Sequence, residues 1–107
     1  MIKVYGSKLC PVCVNFEYNL NLHDIPYEFV DINESMKNLK TFLRKRDKEE
    51  VFKDAIQNGY VGIPAIEEEG NKINLDWEGF IKSCGFTVSY PADANTGKSC
   101  RLDGSGC

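Results

Sequence analysis

No stretch of the 107-residue chain approaches the ~18 consecutive apolar residues that a membrane-spanning helix needs. A cationic leader followed by a long apolar segment is also missing, and Ile2-Lys3-Val4-Tyr5 reads at once as a strand. A soluble, cytoplasmic protein that does not associate with membranes is therefore expected. There is no excess of positive charge. The formal net charge is −3, without the basic footprint of a nucleic-acid binder. The short run Arg44-Lys45-Arg46 meets Asp47, Glu49 and Glu50 and reads as a solvated helix face. Histidine occurs once, as His23, near the end of the first predicted helix where a cation is welcome; it reads as a surface residue and not as a general base. Glu67-Glu68-Glu69 precedes a turn with no matching ligand cluster and reads as solvated, so no metal site is expected there.

Cysteine is what the chain has in abundance, at positions 10, 13, 84, 100 and 107. An odd number without a leader argues against a secreted disulfide scaffold. A cytosolic Cys-x-x-Cys is more often catalytic or metal-binding than structural. The length suits one domain with a single core.

The spacing of apolar residues predicts a strand over 2–6 and a helix over about 11–23, its apolar row formed by Val14, Tyr18 and Leu22 with Phe16 and Leu20 beside it. A second strand follows over 27–32. Asn33 or Ser35 can cap the next helix, whose predicted face is Met36, Leu39, Phe42 and Leu43. After a charged break at 44–50, Val51, Phe52, Ala55 and Ile56 form another face, stopped by Asn58-Gly59. Ala65-Ile66 reads as a short strand, 69–72 as a hairpin turn, and Ile73 and Leu75 as the returning strand. Asp76 can cap a last helix covering Trp77, Phe80 and Ile81, ended by Gly85. The order is β-α-β-α-β-β-α. Alternation of strand and helix implies a right-handed crossover and a parallel pair, and the late hairpin adds antiparallel strands. An α/β fold with a four-stranded mixed sheet and helices on both faces is expected. The domain is assigned to residues 1–90, and the polar, glycine-rich stretch 91–107 reads as a flexible, cysteine-containing tail.

Cys10-Pro11-Val12-Cys13 falls where the first strand gives way to the first helix. Pro11 suits the first helical position. Cys10 then stands at the N-cap, where unpaired backbone N–H groups and the helix dipole favour negative charge. The thiolate is the attacking species in disulfide exchange, so this setting activates Cys10. Lys8 can add positive potential. Cys13, one turn later, is placed to attack Cys10 once a mixed disulfide has formed and is expected to be the less exposed sulfur. The competing reading is half of a zinc or iron site.

Residues 2–85 resemble glutaredoxin, of the thioredoxin superfamily, in three respects: Cys10-Pro11-Val12-Cys13, the Gly62-Ile63-Pro64 segment about fifty residues later, and the element order. The resemblance implies a thioredoxin-like fold and a thiol–disulfide oxidoreductase, with Cys10 and Cys13 as the catalytic pair. It also implies that Pro64 follows a cis peptide bond and that Ile63 offers its backbone to an extended substrate. Lys8, Pro11, Val12, Ile63, Pro64 and Asp76 are the substrate-binding candidates it implies. In glutaredoxins a lysine stands three residues before the first cysteine, where this chain has Ser7 with lysine at 8. Val12 replaces the usual aromatic residue between the cysteines. Of the family's glutathione-binding stretch before the last helix only Asp76 matches. No bound cofactor is implied. Glutathione or another thiol serves as co-substrate, protein or low-molecular-weight disulfides are the substrates, a thiol or a reductase is the electron donor, and a monomer is expected.

Three cysteines stand apart from this pair. Cys84-Gly85-Phe86-Thr87 resembles the Cys-Gly-Phe-Ser of cluster-binding glutaredoxins, but it follows the last helix, gains no dipole there, and reads as structural. Cys100 and Cys107 are candidates for an accessory redox pair. Together with Cys10 and Cys13 they also make up the alternative function, a module binding metal through four thiolates.

Overall fold

The computed structural model of the protein describes residues 1–91. Its elements are β1 (Ile2–Gly6), α1 (Pro11–Leu22), β2 (Tyr27–Asp31), α2 (Met36–Lys48), α3 (Lys53–Gln57), β3 (Ala65–Glu67), β4 (Ile73–Asn74) and α4 (Trp77–Ser83), with 3₁₀ turns at Glu50–Phe52 and Glu69–Asn71. The sheet order is β2-β1-β3-β4. β1 and β2 are parallel, β3 runs antiparallel to β1, and β4 antiparallel to β3. This is an α/β, thioredoxin-like architecture.

Alternation along β1 separates the two layers of helices. The Tyr5 ring lies 6.1 Å from that of Phe42 on α2, and Phe42 meets Phe52 edge-on at 5.8 Å. Gly6, the next residue, faces the opposite way, so that a Cβ placed on it would lie 3.0 Å from Cys13 Sγ on α1. On that side Phe16 packs against Trp77 at 5.7 Å and Phe80 at 6.1 Å, which joins α1 to α4. β1 is thus covered on both faces, and its Val4 and Tyr5 are buried.

Local signals set the ends of the helices. Ser35 Oγ accepts the Asn38 N–H at 3.1 Å and caps α2, which settles the choice between Asn33 and Ser35. Asp76 accepts the Gly79 N–H at 3.0 Å and caps α4. The hairpin turn closes with Glu68 N–H on the Lys72 carbonyl at 2.7 Å, Gly70 taking a positive φ of 76°.

Several expectations are corrected. On α1 the predicted row Val14, Tyr18 and Leu22 is exposed, and the buried face is Val12, Cys13, Asn15, Phe16, Asn19 and Leu20. The adjacent row of Phe16 and Leu20 is buried as expected, and the stripe is completed by Asn15 and Asn19 instead of the Val14 row, a choice that apolar spacing alone does not reveal. On α2 Phe42 is buried, but Met36 and Leu43 are exposed, as are Val51 and Ile56 beyond it. The charged run does not break the helix at 44, since α2 continues to Lys48 and carries its cations toward its C-terminal end, where the dipole favours them. β4 is shorter than expected and leaves Leu75 outside the ladder.

Candidate active site

Strand register brings four chain segments to one end of the sheet. β1 runs toward Gly6, which pairs with Asp31 of β2, and the pairing extends one step as Ile32 N–H donates to the Gly6 carbonyl at 2.9 Å. Tyr5 pairs with Ala65, so the residue after Tyr5 lies opposite Pro64. Ile66 pairs with Asn74, so β4 returns toward the same end and delivers Asp76 there. The Ser7–Cys10 loop, Ile32-Asn33, Ile63-Pro64 and Asp76 therefore gather around the start of α1. The Ile63–Pro64 peptide bond is cis.

Cys10 is the N-cap of α1, with extended backbone angles and Pro11 directly after it. Its own N–H donates to the Ser7 carbonyl at 3.1 Å, a tight turn that tucks the residue inward and leaves Leu9 outside. Cys10 is only 2% exposed and Cys13 1%, so both thiols are buried, and the expected contrast in exposure between them is absent. They are not joined by a disulfide. The difference lies in their electrostatics. Burial pushes the Cys13 thiol well above its ordinary range, and the hydrogen bond and charge of Cys10 push it further. The Ser7 backbone N–H opposes this rise only in part. Two sulfurs in contact cannot both ionise readily. Here Cys13 keeps its proton and directs it at Cys10.

The loop carrying Cys10 is held by side chains that the sequence pattern did not single out. Ser7 is buried, its hydroxyl donates to Asn33 Oδ1, and its oxygen accepts the Leu9 N–H at 3.1 Å. Arg46 reaches from α2 to donate to the Tyr60 and Val61 carbonyls, both at 2.8 Å, and so fixes the approach to Gly62-Ile63-Pro64. Gly62 has a φ of +95°, and a Cβ there would meet Phe52 at 2.8 Å, so this approach also requires glycine. A side chain that bonds carbonyls across the fold leaves no periodic trace, which is why Arg46 reads as solvated in sequence.

The remaining candidates divide. Pro11 is half-buried at the helix start, Ile63 and Pro64 are buried at the sheet end, and Asp76 is exposed there. Val12 is corrected: at 1% exposure its side chain belongs to the core, because α1 turns that position toward the sheet, and it has no surface for a substrate. Lys8 is exposed, but its ammonium pairs with Glu17 at 2.9 Å and lies 4.7 Å from the centre of the Phe29 ring, so much of its charge is already partnered. Cys84 caps the far end of α4 and is exposed. His23 is half-buried, not on the open surface, and stacks on Phe86 at 4.0 Å, also away from Cys10. Among the described residues no group of three or more His, Cys, Asp or Glu side chains converges as a metal site. Cys100, Cys107 and the tail expected over 91–107 lie outside the described residues from 92 onward.

Fold and site together define a thioredoxin-like α/β protein with a buried vicinal dithiol at the strand–helix junction. An uncharacterized protein of Haemophilus influenzae (strain ATCC 51907 / DSM 11121 / KW20 / Rd) is 34% identical over 73 residues, covering 68% of this chain and 85% of that protein. The chain belongs to the same family as that protein. No family model matches the chain. No solved structure matches it either. Among the described residues no helix is long and apolar enough to cross a membrane.

Proposed function

We propose that the protein is a glutaredoxin-like thiol–disulfide oxidoreductase of the cytoplasm. The Cys10 thiolate attacks one sulfur of a substrate disulfide, forms a mixed disulfide and expels the other sulfur as a thiolate. Cys13 then loses its proton, attacks Cys10 Sγ and releases the second substrate thiolate. The protein dithiol gives up two electrons and two protons and is left as a Cys10–Cys13 disulfide. A thiol, glutathione or a reductase's dithiol, returns them. Substrates are protein or low-molecular-weight disulfides, with the Ile63 backbone and Asp76 as the contacts available beside Cys10.

The observation that carries this reading is the asymmetry of the pair: Cys13 is held protonated by burial and by Cys10, while Cys10 stands at the N-cap of α1. An attacking thiolate and a protonated resolving thiol are what two-step exchange requires. The test is the pH dependence of Cys10 alkylation in the reduced protein and in Cys13→Ser. Cys10 is expected to react through a transition below the ~8.5 of free cysteine. Cys13→Ser is expected to retain that reaction and to stall as a mixed disulfide when offered a substrate. A Cys10 that titrates like free cysteine in both proteins ends the assignment.

A further inference from the structure

The end of the sheet opposite Cys10 carries a cavity of its own. Lys3, near the start of β1, pairs with Glu67, and Glu67 pairs with Ile73 of β4, whereas Cys10 follows the point where β1 ends. α2 starts near the Cys10 end and runs back, so that its C-terminal half meets the hairpin of β3 and β4. A cavity of about 370 Å³ lies between them. That volume falls within the ~300–1,000 Å³ of small-molecule sites. One wall is α2, with Thr41, Arg44, Lys45 and Lys48. The other is the hairpin, with Asn71 and Ile73. Among the described residues Glu49 is the one carboxylate that lines it.

Charge sets this cavity apart. Ligand sites are lined mainly by apolar side chains. Here three cations converge above one buried apolar residue, Ile73. Arg44 and Lys48 stand four residues apart on one helix face, where like charges repel. Among the described residues neither side chain has a partner, and Glu49 forms no ion pair with any of the three cations. The Asn71 side-chain amide is likewise without a hydrogen bond among the described residues. Lys45 is the fixed member, its ammonium 3.4 Å from Glu67 Oε2 and 6.0 Å from the centre of the Tyr5 ring. The dipole of α2 welcomes cations in its last turn, which accounts for Lys45 and Lys48. It fades before Arg44 and does not account for a concave wall facing all three.

We propose that this cavity binds a small phosphate-bearing ligand, with Arg44 and Lys48 as its principal charge partners. A guanidinium offers paired N–H groups to phosphate oxygens, and an ammonium offers a compact charge. The free Asn71 amide supplies a neutral donor from the opposite wall. Glu49 only accepts hydrogen bonds and suits a hydroxyl on the group that carries the phosphate. Lys37 and Lys40, two further exposed cations of α2, do not line the cavity. The ligand is therefore compact, and not a nucleic-acid strand or a bilayer that would cover the whole helix. The site does not depend on the oxidoreductase reading, because it and Cys10 lie at opposite ends of the sheet.

The test is a titration of the full, isotope-labelled chain with sodium pyrophosphate at constant ionic strength, followed through its backbone amide resonances. The expected result is saturable shifts confined to residues 41–49 and 71–73. Arg44→Gln and Lys48→Gln are each expected to weaken binding about tenfold, as loss of one charge-assisted contact implies. Lys40→Gln removes the same charge from the same helix outside the cavity, and its affinity should stay within about twofold of the parent. Shifts that never saturate, or that centre elsewhere, overturn the proposal on the parent protein alone. Equal losses in Lys40→Gln and Arg44→Gln overturn it too, since they mean general attraction to a positive helix. Parallel titrations use phosphatidylglycerol vesicles and a single-stranded oligonucleotide. Saturable binding of either one without binding of pyrophosphate overturns the proposal in favour of an extended polyanion surface.

Discussion

At the scale of single residues, the site depends on how closely β1 can approach α1. Gly6 is where they meet, and a methyl group there would press on Cys13 Sγ at 3.0 Å and on the Phe29 ring at 3.2 Å. Gly6→Ala is expected to destabilise the protein by ~1–3 kcal/mol, as overpacking of a filled core does. Its denaturation midpoint in urea should fall accordingly, and an unchanged midpoint would show that the strand and helix yield without cost. Asp76 allows a cleaner separation of roles, because it caps α4 and is also the exposed carboxylate that the proposed function places beside Cys10 as a substrate contact. Asparagine caps as well as aspartate, so Asp76→Asn should alter stability by less than ~0.5 kcal/mol. Loss of the carboxylate is expected to raise the KM for glutathione-containing disulfides several-fold while kcat is kept. A KM that does not move would remove Asp76 from substrate recognition.

Among the elements, α1 does most to position the chemistry, since it starts at Cys10 and holds the chain that follows α4 through Asn19. Asn19→Ala removes both bonds to Ser89 and the one to the Asn15 carbonyl at 2.7 Å. It leaves the part-buried Ser89 backbone groups without their partner, and a loss of ~1–3 kcal/mol is expected. Hydrogen exchange at the Ser89 amide should accelerate by more than that of the β1 amides, whereas uniform acceleration would mean that Asn19 serves only global stability. Legibility from sequence followed the same division. β1, β2 and the late hairpin were readable because alternation and turn chemistry act locally, and so was the placement of Cys10 before Pro11. The buried face of α1 was readable only in its Phe16 and Leu20. Asn15 and Asn19 occupy the buried face, and a polar residue bonded to a distant backbone looks in sequence like any solvated one. Ser7, bonded to Asn33, and Arg46, bonded to the 60–61 carbonyls, were hidden for the same reason.

For the molecule as a whole, several ionisable groups prefer to remain protonated in the folded state. Cys13 is pushed well above 9.0 by burial and by Cys10. Tyr27 is pushed up to about 12 by burial and then by Glu17, and Tyr5 is raised further still by burial and then by Glu67. Between its unfolded and folded pKa each group binds more protons in the native state than in the unfolded one, so stability falls as pH rises through that window. The contribution is fully present below about pH 9, is lost first through Cys13, and then declines with the tyrosines above about pH 10. Urea midpoints of the reduced protein should therefore be lower at pH 10.5 than at pH 8. Cys13→Ser should flatten the early part of that decline, and a midpoint independent of pH up to 10.5 would contradict the burial of these groups. One further consequence concerns Trp77, the single tryptophan of the chain, wedged between Phe16 and Tyr90. Its emission is an intrinsic reporter, unlabelled and unambiguous in origin: a shift to the red under mild conditions signals water at the indole, and so records the moment the segment leading to the last two cysteines lifts away from the domain.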